Sequence, residues 1–193
     1  MRSGKTNRLN NEGVFQGSDK KYDLIYADPP WRYEGNTARP SDVIENHYPT
    51  MELEDIKSIE VPSAKDCILY LWTTSPKIEE GLQVLNAWGF KYRSQLIWDK
   101  NRLGLGYWFR VQHEILLVGV KGKVSPPPKT KRIRSIYKET RGRHSKKPDS
   151  IRRLINDWYP DKTKLEMFTR EAFQGWDTHG NEVSPRTQTY LIS

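Results

Sequence analysis

The sequence predicts an α/β domain with a mainly parallel sheet covered by helices on both faces. Three observations predict it. Short β-rich or apolar runs alternate with amphipathic segments of helical spacing. An early run stops abruptly at paired prolines. No repeat or linker divides the 193 residues, a length that suits one full hydrophobic core and is too short for two ordinary domains.

Residues 1–20 are polar, lack apolar periodicity and are expected to form a peripheral arm on a single domain spanning 21–193. Tyr22-Asp23-Leu24-Ile25-Tyr26-Ala27 is a β-rich run that ends at Asp28-Pro29-Pro30. Paired prolines lack ladder donors and cannot continue a central strand, so Asp28 is expected at the carboxyl end of a strand. Residues 34–50 have no hydrophobic period and include Gly35, Pro40 and Pro49, which reads as a long loop. Residues 51–59 suit a short helix, and 67–72 are an apolar run of strand length. Ser75-Pro76 opens an amphipathic helix with Pro76 at its first position; Ile78, Leu82, Leu85 and Trp88 keep helical spacing, and Gly89 ends it. Residues 92–98 and 114–120 read as strands joined by a loop, 101–110, that carries glycines and aromatics. Pro126-Pro127-Pro128 breaks the pattern before a basic segment. Residues 148–159 form a second helix with Ile151, Leu154, Ile155 and Trp158 on one face, and 164–168 a buried strand. Sheets of this kind bind ligands outside the carboxyl ends of their strands at the topological switch point, where Asp28 and the residues after Phe168 are expected.

Composition narrows the function. No apolar run approaches the roughly 20 residues of a membrane span, and the first residues hold no secretory apolar region. The single cysteine, Cys67, forms no intrachain disulfide, and with four scattered histidines it builds no convincing metal site. These features predict a cytoplasmic, metal-free protein without a membrane partner. A net charge of +8 points to a polyanion. Nine cations lie in residues 129–147 (Lys129, Lys131, Arg132, Arg134, Lys138, Arg141, Arg143, Lys146 and Lys147) against the single acid Glu139. The plain alternative for that segment is a solvated loop.

Asp28-Pro29-Pro30-Trp31 carries the chemistry. The exocyclic amine of adenine is a poor nucleophile because its lone pair is delocalised into the ring. A carboxylate and a carbonyl held rigid by proline can accept its hydrogens and favour tetrahedral character as a methyl group arrives, while Trp31 can stack on a base drawn out of its helix. The alternative is a strand-ending turn with a buried tryptophan.

The tetrapeptide stands in an ordered set of blocks. Tyr26-Ala27-Asp28-Pro29-Pro30-Trp31 is followed by His47-Tyr48-Pro49-Thr50-Met51, Leu96-Ile97-Trp98-Asp99-Lys100 and Gly104-Leu105-Gly106-Tyr107-Trp108. The closing blocks begin at His113-Glu114, Ser145-Lys146-Lys147-Pro148-Asp149, Lys164-Leu165-Glu166 and Gly175-Trp176-Asp177. Over most of the chain, from Tyr22 to Val183, this set resembles the family of the seventy-kilodalton subunit of mRNA adenosine methyltransferase, in its compact bacterial or phage form.

The resemblance implies a Rossmann-like, S-adenosylmethionine-dependent methyltransferase fold in permuted order, with the catalytic motif early and the principal cofactor motif late. It implies methyl transfer to the N(6) amine of adenine. DNA is the expected polymer, RNA the alternative, and a non-catalytic nucleic-acid-binding subunit the second alternative. Asp28, Lys147, Glu166, Phe168, Arg170, Asn181 and Glu182 are the implied contacts to S-adenosylmethionine. Substrate contacts are expected from Tyr33, His47, Lys100, Tyr107 and Trp108, each aromatic having core packing as its plain alternative. A homodimer or a partner subunit is compatible with the family. The sequence departs from the eukaryotic members at Ala172 and Lys146, where they carry histidine.

Overall fold

The computed structural model describes residues 20–33, 50–106, 108–142, 146–169 and 171–179. The elements run β1 (Tyr22–Ala27), α1 (Leu53–Ser58), β2 (Ser63–Thr73), α2 (Ile78–Ala87), β3 (Lys91–Asp99), β4 (His113–Lys121), β5 (Ile136–Lys138), α3 (Asp149–Trp158), β6 (Lys164–Met167) and β7 (Asp177–His179). Among the described residues they form one seven-stranded sheet in the order β5-β3-β4-β2-β1-β6-β7. β1 pairs in parallel with both β2 and β6, β6 with β7, and β3 with β5; β4 alone runs against its neighbours.

Side-chain alternation along the central strands divides the core into two layers. Ile25, Leu69, Leu71, Leu117, Leu165 and Met167 pack on one face with Ile56 of α1 and Val84 and Leu85 of α2. Leu24, Tyr26, Ile68, Trp72, Trp98 and Leu116 pack on the other with Ile151 and Ile155 of α3. Both faces are therefore covered, as expected for strands that read as nearly continuous apolar runs. The second layer is dense in aromatics: Tyr26, Trp72, Trp98 and Trp176 meet edge to face at centroid distances of 5.9–6.4 Å.

The register fixes the functional edge. Ala27 lies opposite both Leu71 of β2 and Met167 of β6, so Asp28, Trp72 and Phe168 reach the same edge of the sheet. The helix after β1 lies on one face and the helix before β6 on the other. β1 and β6 are thus the switch point, built from the two ends of the chain, which is the permuted arrangement.

Several boundaries differ from the sequence expectation. β2 begins at Ser63, ahead of its apolar run, because Tyr22 of β1 pairs with Ser63 beside it. Pro76 does not open the α-helix: Ser75–Lys77 form a 3₁₀ turn and α2 starts at Ile78. Thr73 Oγ1 donates to Lys77 O at 2.7 Å, engaging a carbonyl at the helix start. The basic segment is also more ordered than a loop, since its residues Ile136–Lys138 form the edge strand beside β3.

Candidate active site

Asp28 follows the last residue of β1 and turns the chain out of the sheet. Two backbone bonds set that turn: Trp31 N donates to Pro29 O and Met51 N donates to Pro30 O, each at 2.9 Å. Trp31 is packed into the core. Its side chain is 7% exposed and belongs to the core beside Ile56, and its indole N–H donates to Trp72 O at 3.1 Å. The ring braces the turn and leaves almost no surface on which a base would stack.

Asp28 meets Lys147 across the crevice. Lys147 Nζ lies 2.9 Å from Asp28 Oδ2, 3.1 Å from Glu114 Oε2 and 5.8 Å from the centre of the Trp72 ring. Glu114, at the start of β4, also accepts from Lys100 Nζ at 3.2 Å through Oε1. The contact of Glu114 Oε2 with Lys147 is an ion pair without hydrogen-bond alignment, so this buried oxygen has no aligned donor among the described residues. Burial alone would lower the Lys147 pKa, yet the Asp28 and Glu114 carboxylates hold its ammonium well above the ordinary lysine range. The lysine therefore enters the site as a fixed cation.

A second cluster sits behind this one. Arg152 Nη1 donates to both carboxylate oxygens of Glu166, at 2.9 and 2.6 Å, and Nη2 donates to Asp149 Oδ1 at 2.6 Å. The guanidinium lies over the Phe173 ring at 4.5 Å. Burial lifts the Glu166 pKa above the usual carboxylate value despite the opposing Arg152 charge. Phe168, the residue after β6, has a positive φ of 63° and donates its N–H to His179 O at 2.6 Å. A left-handed non-glycine residue is uncommon and costly, and here it stands at the switch point.

Of the expected substrate contacts, Tyr33 is half-buried against the core and its hydroxyl is 2.8 Å from Thr74 Oγ1. Lys100 is committed to Glu114, and Trp108 is exposed. His47, Tyr107, Arg170, Asn181 and Glu182 lie outside the described residues. Sequence reading missed Glu114, Asp149 and Arg152 as parts of the site. Glu114 is the second residue of β4 and directly precedes its apolar run, and Arg152 adjoins Ile151 and precedes Ile155 by three positions on α3. Charges in such apolar settings were the available signal.

A mostly parallel sheet with helices on both faces and a site at the β1/β6 edge defines a Rossmann-like fold of the S-adenosylmethionine-dependent methyltransferase type. Residues 22–182 match the family model MT-A70, and the chain belongs to the MT-A70 family of adenine-N(6) methyltransferases. It is 35% identical over 183 residues to the Type II methyltransferase M.MunI of Mycoplasma sp, covering 85% of this chain and 78% of that relative. It is 31% identical to the N(6)-adenosine-methyltransferase MT-A70-like of Arabidopsis thaliana and 30% identical to the human N(6)-adenosine-methyltransferase catalytic subunit METTL3. Those matches cover 84% of this chain, which spans only 24% and 28% of the respective relatives. No helix among the described residues is long and apolar enough to cross a membrane.

Proposed function

We propose that the chain methylates the N(6) amine of adenine in DNA, using S-adenosylmethionine as donor. The observation that carries this reading is the pairing of Asp28 with Lys147 at 2.9 Å beside the β1/β6 switch point. The donor set suits the amino-acid end of S-adenosylmethionine, which presents an ammonium and a carboxylate. Lys147 immediately precedes Pro148, the N-cap of α3, so its charge and the positive end of that helix act together on a carboxylate. When bound, the cofactor supplies the electrophilic methyl group.

The protein's own part is orientation and hydrogen bonding. Asp28 accepts a hydrogen bond from one N–H of the adenine amine and the Pro29 carbonyl, through its second lone pair, accepts one from the other, which localises the nitrogen lone pair for attack; the amine then gives up a single proton to solvent once the methyl group is in place. By the resemblance to the family, Glu166, Phe168, Arg170, Asn181 and Glu182 serve the cofactor. Tyr33, His47, Lys100, Tyr107 and Trp108 serve the substrate side, with Lys100 acting through Glu114.

DNA is favoured because the Type II methyltransferase is matched over most of both chains, whereas the adenosine methyltransferases are matched over about a quarter of theirs. The same transfer to RNA is the second reading, supported by those adenosine methyltransferases. Incubating the protein with labelled donor and defined DNA or RNA oligonucleotides, then digesting to nucleosides for mass spectrometry, separates them. N(6)-methyldeoxyadenosine is expected, and methylated adenosine from RNA alone would overturn the choice of polymer. Asp28→Asn should cut the rate by about 100-fold or more, the scale of one transition-state acceptor, with the far-ultraviolet circular dichroism unchanged. Wild-type turnover in that variant would remove Asp28 from the chemistry.

A further inference from the structure

Residues 129–147 carry nine cations and one acid, Glu139. Among the described residues no cation lies within ion-pair distance of that acid. Two hydroxyls engage it: Tyr137 Oη donates to Glu139 Oε2 at 3.0 Å, and Ser150 Oγ donates to the same oxygen. A half-buried carboxylate held this way serves the hydroxyl donors and not the charge around it.

Glu139 is itself firmly mounted. Its N–H donates to Asp99 O at 3.1 Å, and its carbonyl accepts from Trp98 Nε1 at 2.8 Å. Two residues on, Arg141 N donates to Lys100 O at 3.4 Å. Trp98 is 1% exposed and belongs to the aromatic layer of the core, so the carboxylate projects from a point fixed by β3.

Its partner stands at the start of the helix that carries the donor end of the site. Ser150 is the second residue of α3 and lies three positions after Lys147. The N-cap of α3 is Pro148, and no side chain caps it. A helix start without a capping side chain needs another restraint. Two are present. Arg152 binds Asp149 and Glu166, which ties the first turn to β6. Ser150 binds Glu139, which ties it to β3 and β5 on the opposite side. A carboxylate near this end also meets the positive pole of the helix. The same segment fastens the far end of α3, where Trp158 Nε1 donates to Lys131 O at 2.9 Å and Lys131 Nζ to Asp157 O at 3.1 Å. Of these fastenings to the basic segment, the Glu139–Ser150 bond is the one that reaches the first turn.

We infer that Glu139, acting through Ser150, is a positioning residue for the donor end of the site: it sets the first turn of α3, and with it Lys147, against Asp28. Lys147 Nζ has to stay at 2.9 Å from Asp28 Oδ2 while presenting its charge to a carboxylate. A displacement of about 1 Å at such a point is enough to spoil an aligned bond. The inference rests on the reading that Lys147 and the start of α3 receive the carboxylate of S-adenosylmethionine. It is independent of which polymer is methylated.

The test measures S-adenosylmethionine affinity by calorimetry on the full chain. Ser150→Ala removes the bond without changing any charge and should weaken the donor by about 10-fold, the low end for a hydrogen bond to a charged group. Glu139→Gln keeps an acceptor without its charge and should fall between Ser150→Ala and wild type. Ser150→Thr keeps the hydroxyl and should stay within about twofold of wild type. Trp158→Phe removes the bond at the far end of the helix and should also stay within about twofold. With donor at saturation, kcat of Ser150→Ala should lie within about threefold of wild type while KM for the donor rises with Kd. Wild-type affinity in Ser150→Ala, or an equal loss in Trp158→Phe, overturns the positioning role and leaves the donor reading standing. Failure of Ser150→Thr to recover affinity assigns the loss to packing and overturns it too. Wild-type protein that binds no S-adenosylmethionine overturns the donor reading and the inference together.

Discussion

At the scale of the residue, the site turns on one ammonium shared between two carboxylates. Lys147 is held by Asp28, from the end of β1, and by Glu114, from the start of β4. Glu114 has no direct place in the proposed chemistry; it is a positioning residue, fixing the lysine and the Lys100 beside it. Replacing its charge leaves Lys147 with Asp28 as its one near carboxylate among the described residues, so Asp28 becomes more fully committed to the lysine and less available to the adenine amine. Glu114→Gln keeps the volume and should lower kcat by about 10- to 100-fold, the scale of one or two charge-assisted hydrogen bonds. Glu114→Asp should recover part of that rate. Donor affinity by calorimetry should weaken less than kcat falls, because Lys147 remains present. Unchanged kcat in Glu114→Gln would show that the two carboxylates act independently.

At the scale of the element, β6 and α3 are fastened by a buried ion pair. Arg152 and Glu166 are both almost fully buried, and every carboxylate oxygen of Glu166 is engaged by one guanidinium nitrogen. Arg152→Met should destabilise the fold by about 3–5 kcal/mol, because it strands a buried carboxylate. The double variant Arg152→Met, Glu166→Leu should regain most of that loss. The pH dependence has a definite sign. Burial already raises the Glu166 pKa, so its folded form binds a proton more readily than its unfolded form. The related stability is present below the unfolded carboxyl pKa and is lost as pH rises through the raised folded value. Removing the arginine raises that value further. The deficit of Arg152→Met should therefore be largest near neutral pH and shrink towards about pH 4, where glutamate protonates. Equilibrium denaturation at several pH values measures this, and a pH-independent deficit would mean that lost packing, not the stranded charge, is the cause. The same elements show what the sequence reveals. β1, α3 and β6 were legible because an apolar period or a proline stop marks each within its own residues. β5 and β7, three residues each, exist because β3 and β6 offer them an edge, and nothing in Ile136–Lys138 or Asp177–His179 alone states that. Asp28 and Lys147 were legible through their motif blocks. The Arg152–Glu166 pairing was not, since it depends on how a helix and a strand dock after folding.

At the scale of the whole molecule, charge is distributed along the sheet in a way that bears on substrate capture. β5 is the outermost strand beyond β3, and the segment around it exposes Lys129, Lys131, Arg132, Arg134, Lys138 and Arg141. None of these six has a carboxylate within ion-pair distance among the described residues. Lys147, by contrast, is neutralised inside the site and Lys146 pairs with Asp149 and Glu171, so among the described residues the basic segment divides into two paired cations and an outer row open to phosphates. Each phosphate neutralised on duplex DNA contributes about −0.9 to the slope of log affinity against log salt. Full engagement of the row therefore predicts a slope of roughly −5. Replacing Arg134 and Arg141 with alanine should make it shallower by about two, weakening binding at low salt far more than at high salt. Both residues are exposed, so the fold should be unaffected. Fluorescence anisotropy of a labelled duplex across a salt series reads the slope directly. An unchanged slope in the double variant would take the β5 edge out of the interface.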